Sequence, residues 1–320
     1  MRDRGLPSAL RAGIARFCEN IPSAELARRA GVLSEAYRAR ADSGFIREDE
    51  DVAAYLAARL PATYAAMSAV LDAVAERAPS FAPASVLDIG AGPGTASWAA
   101  AELWPGIGSF VMQDRNRALL RVARTLADES AVLKGVRIVE GDMAAPASAA
   151  DLVLAGYAFA ELDRDALARA VEALWTACKT MFVIVEPGTP DGFKRILACR
   201  DILLGLGARI VAPCPGAYAC PIVAPDWCHF SVRLPRLRAH LRAKGASVPF
   251  EDEKFSYLAA AREGCALVPI AARVLTRPQA TKPGVTLRLC GGGRIAERMV
   301  PKRDKDAYRA LSKKDWGDAI

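Results

Sequence analysis

Two groups of residues in this chain have the types and spacing to do chemistry. The first lies in residues 85–95, SVLDIGAGPGT, where an acid, Asp88, is followed by Gly90, Gly92 and Gly94 at alternate positions. Glycines so spaced let the backbone turn sharply and come close to a ligand that any Cβ would obstruct. The apolar Val86, Leu87 and Ile89 suit a buried parallel strand leading into the turn, and a helix is expected from Thr95. A dinucleotide fingerprint would place its third glycine one residue later, where Thr95 stands. The turn therefore reads as a seat for a nucleotide-like ligand without a pyrophosphate, the other reading being a tight strand-to-helix turn with no ligand.

The second group is Cys214, Cys220 and Cys228, in residues 210–231, IVAPCPGAYACPIVAPDWCHFS, a stretch too rich in Pro and Gly for regular structure. Clustered thiols outside an oxidising compartment point to a metal or iron–sulfur site rather than to disulfides. Zinc knuckles close on C-x-x-C spacings, whereas here five and then seven residues intervene, wide enough to surround a larger object. Proline after Cys214 and Cys220 is also a feature of ferredoxin ligand runs, so a four-iron, four-sulfide cluster (4Fe-4S) is expected, with zinc as the alternative. Cys290, before Gly291-Gly292-Gly293, is the first choice of fourth ligand and Cys265 the second; His229 would suit zinc. Cys18, Cys178 and Cys199 fall in helical patterns and are expected to be small buried apolar groups.

The elements that must position these residues can be read from periodicity. Strands near 85–90, 108–113, 136–139, 151–156 and 180–186 alternate with helices at 95–103, 116–127, 161–177 and 191–204. That alternation predicts an α/β doubly wound parallel sheet with ligands at the carboxyl ends of the strands. Asp114 ends the second strand about where a ribose-binding acid belongs, and Asp142 follows the third. Residues 186–189, Glu-Pro-Gly-Thr, either line the same crevice or turn the chain into the next helix. Before residue 81 only helical patterns occur, one running from Ala24 to Arg40 and another opening at Pro61, on a region carrying Arg28, Arg29, Arg38 and Arg40. Four regions are therefore expected: a helical N-terminal domain (1–80), a Rossmann-like core (81–207), a cysteine-rich loop with a basic segment (208–250), and C-terminal strands completing the sheet with a basic tail (251–320).

The 320 residues are 52% hydrophobic, enough for a sizeable core, and carry a net charge of +7. Arginine outnumbers lysine 33 to 10, which supplies forked donors suited to phosphate, although biased codon usage would give the same excess. No apolar run reaches the ~18 residues of a membrane span, so no membrane partner is expected. The start, MRDRGLPSALRAG, lacks a secretory core, and Asp3 and Glu19 do not suit a transit peptide, which gives a cytoplasmic expectation. Arg233, Arg236, Arg238, Arg242 and Lys244 crowd residues 231–244 without an acid, and RNA phosphates are the expected partner. The tail from Arg294 to Lys314 reads as a second RNA-facing surface.

The compact D-x-G-x-G-x-G turn resembles motif I of class I S-adenosylmethionine-dependent methyltransferases. Together with QDRN at 113–116, EPGTPDGF at 186–193, the cysteine block, EDEKFSYL at 251–258 and the late WGD, the chain resembles the mitochondrial small-ribosomal-subunit methyltransferase-like proteins and their bacterial relatives. The resemblance runs from about Ser85 to the C-terminus. It implies S-adenosyl-L-methionine at Asp88, Gly90, Gly92, Gly94, Asp114 and, at the adenine, Asp142. It further implies an iron–sulfur cluster on Cys214, Cys220, Cys228 and Cys290, and association with small-subunit ribosomal RNA during assembly. No catalytic residue carries over. The segment after the fourth strand, Gly156-Tyr157-Ala158-Phe159, lacks the Asn/Asp-Pro-Pro-aromatic motif of amino-methylating enzymes and the Pro-Cys of cytosine-carbon methyltransferases. A non-catalytic RNA-binding assembly factor is therefore the alternative to an rRNA methyltransferase.

Overall fold

The computed structural model describes residues 5–38 and 43–320. Asp3 and Arg40 lie outside the described residues, as does the side chain of Arg38. Four helices come first: α1 (Ser8–Glu19), α2 (Ser23–Arg38), α3 (Asp49–Ala58) and α4 (Leu60–Arg77). The alternating core follows as β1 (Ser85–Ile89), α5 (Thr95–Leu103), β2 (Ser109–Asp114), α6 (Arg117–Ala127), β3 (Arg137–Glu140), β4 (Ala150–Gly156), α7 (Arg164–Ala177), β5 (Cys178–Pro187) and α8 (Pro190–Gly205). The rest comprises β6 (Arg209–Ala212), β7 (Phe230–Pro235), α9 (Arg238–Lys244), β8 (Phe250–Ala261), β9 (Arg273–Val274), β10 (Gln279–Ala280), β11 (Gly284–Gly291), β12 (Arg294–Pro301) and α10 (Lys305–Leu311).

The main sheet has the order β3-β2-β1-β4-β5-β8-β6, with β7 also paired to β8. The first five strands are mutually parallel, and β8 enters antiparallel to β5. This is the doubly wound class I methyltransferase arrangement, with the order reversing at β1/β4, so a crevice opens at the carboxyl ends of β1, β2 and β4. Strands β1, β4 and β5 are buried almost throughout, which is why they read as continuous apolar runs rather than as alternation.

One face of the sheet and helices α1–α4 share a single core, from Leu10 and Leu56 through Leu71 to Val86 and Val185. The opposite face packs on α7 and α8 through Leu167, Leu174, Phe182 and Leu203. Cys18, Cys178 and Cys199 are buried as expected, although Cys178 opens β5 instead of ending a helix.

Of the C-terminal strands expected to complete this sheet, only β8, which contains KFSYLAAA, joins it. AARVL and VTLRLC contain β9 and β11, which pair with each other and with β10 and β12 in a separate four-stranded sheet. Strand β8 is bordered by β5 along Phe255–Ala261 and by β6 and β7 on its other side. The second sheet closes on α10 with its own small core of Val274, Val285, Leu287 and Leu311.

Candidate functional site

The glycine turn is shaped by its neighbours as well as by any ligand. Gly90 has φ +61°, and a Cβ there would lie 2.6 Å from that of Ala158. Gly92 has φ +53°, yet a Cβ would meet nothing closer than 3.7 Å, so the backbone conformation is what selects glycine at the position that faces the cleft. Asp88 lines a smaller cavity beside the cleft, with Tyr55, Gly90 and Tyr157. It is buried, and its Oδ2 accepts hydrogen bonds from Ser97 N at 2.9 Å and Ser97 Oγ at 2.8 Å. It thereby caps α5, whose N-cap, Gly94, has no side chain to do so. Burial outweighs those bonds and pushes the Asp88 carboxyl up to about 7.

Asp114 completes the turn from β2. Its Oδ2 accepts from Gly92 N at 2.8 Å and its Oδ1 from Asn116 N at 2.7 Å. These residues border a cleft of about 210 Å³ lined by Gly90, Gly92, Asp114, Asn116, Met143 and Tyr157, with Tyr37, Ser43 and Tyr55 closing it from the N-terminal region. Sequence reasoning missed that wall. Its one legible signal is Asn116, which caps α6 through Leu119 N and donates from Nδ2 to Ser43 O at 2.6 Å and Ile46 O at 3.0 Å, drawing the 3₁₀ turn Ser43–Phe45 over the cleft. Asp142 sits at the rim, between the lining residues Gly141 and Met143, with its carboxylate paired to Arg115.

Residues 186–189 take the turn of their two readings. The buried Glu186 pairs with Arg195 Nε at 2.7 Å and accepts from Phe159 N, and Thr189 caps α8. In the place of an acceptor motif, Tyr157 adopts φ +59° and donates its hydroxyl to Glu253 Oε1 at 3.1 Å.

The cysteines form the second site. Cys214, Cys220, Cys228 and Cys290 line one cavity, together with Arg200, Tyr218, Phe230 and Gly291-Gly292-Gly293. They come from the β6–β7 loop and from the end of β11, so the second sheet is what brings in the fourth thiol. Cys265 and His229 lie elsewhere: the His229 ring stacks on Trp227 at 5.0 Å and meets the edge of Trp316. Burial, then the neighbouring sulfurs Cys214 and Cys220, push Cys290 up to about 11; burial also raises Cys214 and Cys228. The loop is held by hydrogen bonds and an ion pair to residues outside it. Arg200 donates to Tyr218 O, Arg273 Nε to Pro213 O at 2.9 Å, and Trp227 Nε1 to Gly188 O at 3.0 Å, while Arg288 pairs with Asp226. Among the described residues no group of three His, Cys, Asp or Glu side chains is gathered closely enough to hold a single metal ion. The donor set nonetheless fits a soft, multi-metal centre, since four thiols share one cavity with flexible glycines beside them.

The basic segment is not a free cationic face. The antiparallel register of β7 on β8 sets Arg233 opposite Asp252 and Leu234 opposite Glu251. Arg236 and Lys244 both pair with Glu251, which also lies 2.9 Å from His240 Nε2. Arg242 donates to Ser23 Oγ at 2.8 Å and Ile21 O at 2.7 Å, tying α9 to the N-terminal helices. Arg238 alone of the five has neither an ion pair nor a side-chain hydrogen bond among the described residues.

The family model for mitochondrial small ribosomal subunit Rsm22 matches residues 49–320. The chain belongs to the Rsm22 family. Among curated proteins, this Rsm22 member is 29% identical over 289 residues to the human ribosome assembly protein METTL17, mitochondrial, covering 83% of this chain and 61% of METTL17. It therefore spans less than two thirds of that relative. Among solved structures, a magnesium protoporphyrin IX methyltransferase from Synechocystis PCC 6803 aligns at a TM-score of 0.43 and 11% identity over 72% of this chain and 94% of its own. A TehB-like methyltransferase from Corynebacterium glutamicum aligns at 0.38 and 18% over 61% and 85%. The fold class rests on the strand order, with β8 antiparallel between β5 and β6, and not on these distant alignments. No described helix is long and apolar enough to cross a membrane.

Proposed function

We propose that the protein acts in assembly of the small ribosomal subunit, binding S-adenosylmethionine in the cleft beside Gly92 and Asp114 and an iron–sulfur cluster on Cys214, Cys220, Cys228 and Cys290. One observation carries the reading: thiols far apart in the chain meet at a single cavity, in a chain that also keeps the glycine turn and the β2 acid of a methyl-donor site. The name of the human relative supports a role in ribosome assembly.

In this reading the acid on β2, held in place by Gly92 N, orients the donor. S-adenosylmethionine, when bound, supplies an electrophilic methyl group, and any rate enhancement would come from proximity and alignment. The cluster is a staple for a loop that has little secondary structure of its own. RNA contact falls on Arg238, on the exposed Arg294 and Arg298 of β12 and on Lys302 and Arg303 just after it, because the other basic residues of 231–244 are engaged internally. A non-catalytic assembly factor is the second reading, favoured by Tyr157 and Glu253 standing where an acceptor motif would be.

Transfer of labelled methyl from S-adenosylmethionine to immature small-subunit particles, using anaerobically purified protein, separates the two. Label in the RNA that vanishes with Gly92→Arg establishes the enzyme; particles that bind the protein without label establish the assembly factor. Protein that neither labels nor binds the particles overturns both.

A further inference from the structure

Arg200 on α8 and Arg273 on β9 are 4% and 1% exposed. Each spends part of its guanidinium on the backbone around the cysteines. Arg200 Nη2 donates to Tyr218 O, two residues before Cys220, and Arg273 Nε donates to Pro213 O, one residue before Cys214. Arg273 Nη1 also donates to Gly317 O at 2.9 Å. Each then leaves one buried nitrogen without a partner, Nε of Arg200 and Nη2 of Arg273.

Their closest carboxylates do not neutralise them. Asp201 lies 3.9 Å from Arg200 and Glu76 lies 4.0 Å from Arg273, both on exposed side chains at the limit of an ion pair. A third buried arginine, Arg77, donates from Nε to Val211 O and also leaves Nη1 without a partner, but it does not line the cysteine cavity. Burying an unpaired cation is costly, several kcal/mol in real interiors, unless an anion answers it.

The anion that geometry offers is the thiol cavity. Arg200 lines it directly. Arg273 stands opposite Cys290 in the antiparallel β9–β11 register, which puts the two side chains on the same face. Four thiolates on an oxidised four-iron core leave a net charge of about −2, and cluster potential and retention depend on that charge and on nearby donors.

We propose that Arg200 and Arg273 are the built-in counter-ions of the cluster, two buried cations that offset the charge of the four-thiolate centre and hold it in its cavity. This rests on the iron–sulfur reading above. They are positioning residues: neither ligates iron.

The test uses the full chain, reconstituted anaerobically with iron and sulfide. Wild-type protein that holds no iron and sulfide overturns the cluster reading itself. Given a loaded wild type, Arg200→Gln and Arg273→Gln are expected to release iron at about 10–100-fold lower concentrations of a ferrous chelator, as outer-shell substitutions do at metal sites. Their cluster reduction potential is expected to shift to more negative values. Arg200→Lys, which keeps the charge, retains iron close to the wild-type level, and denaturant curves of the apo variants separate a loss of folding from a loss of iron. Unchanged chelator resistance in both glutamine variants overturns the proposal. So does an Arg200→Lys loss as complete as that of Arg200→Gln, which would assign the effect to the hydrogen bond with Tyr218.

Discussion

Arg233 and Asp252 face each other across β7 and β8 and are joined by two parallel hydrogen bonds, from Nε at 2.7 Å and Nη2 at 2.8 Å. The guanidinium also lies over the Phe250 ring, 4.1 Å from its centroid. An arginine so occupied has no free fork for a phosphate.

Arg233→Gln is accordingly expected to leave RNA affinity and its salt dependence nearly unchanged. Arg298→Gln combined with Arg303→Gln, at exposed positions with no carboxylate partner among the described residues, should weaken binding uniformly across RNA sequences. The slope of log K against log salt should fall by about 2. Filter or anisotropy titrations over a salt series decide it, and the reverse ranking would move the RNA face back to β7.

The donor cleft should fail selectively. Gly92→Arg forces a side chain into a φ of +53°, at a strain cost of about 1–2 kcal/mol, and fills the space beside Asp114. Calorimetric titration should show no binding of S-adenosylmethionine. Asp114→Ala should weaken binding by about 10–100-fold through loss of a charge-assisted acceptor. Equal affinities for wild type and Asp114→Ala would remove that acid from the site.

Glu251 gives a pH signature. Burial pushes its carboxyl up, but the close His240 and Lys244 outweigh burial and carry it down to about 2. A depressed carboxylate stabilises the fold above its unfolded pKa of about 4.5, and that stability is lost as pH falls from there toward 2. Glu251→Gln should be less stable than wild type at pH 7 by up to about 3 kcal/mol, and the gap should close between pH 4.5 and 2. Parallel denaturant curves of the two proteins test this. A gap independent of pH would mean that packing, not charge, is what Glu251 contributes.

Among the cysteines, Cys290→Ser should sharply reduce bound iron and sulfide after anaerobic reconstitution, whereas Cys265→Ser should not. Cys290 lines the shared cavity; Cys265 lies at the end of β8, where its carbonyl accepts from Arg209 Nη1. Equal losses in the two variants would redraw the ligand set.

The local patterns were legible in the chain itself. Asp88-x-Gly-x-Gly-x-Gly, the alternation of apolar runs with helices from β1 to α8, and the three clustered thiols each depend on residues within a few positions of one another. Periodicity and turn chemistry act at that range. The tertiary structure decided whatever depended on pairing across the fold. The register of β7 on β8 neutralised a basic run that carries no acid in sequence, because Glu251 and Asp252 arrive from the next strand. Strands β9 and β11 paired in a second sheet, and that sheet delivered Cys290 to the other thiols. Asn116 drew the N-terminal turn over the donor cleft through bonds to Ser43 and Ile46, more than sixty positions away. Charge compensation and site closure are sums over distant neighbours, and one strand's composition does not contain its partner's.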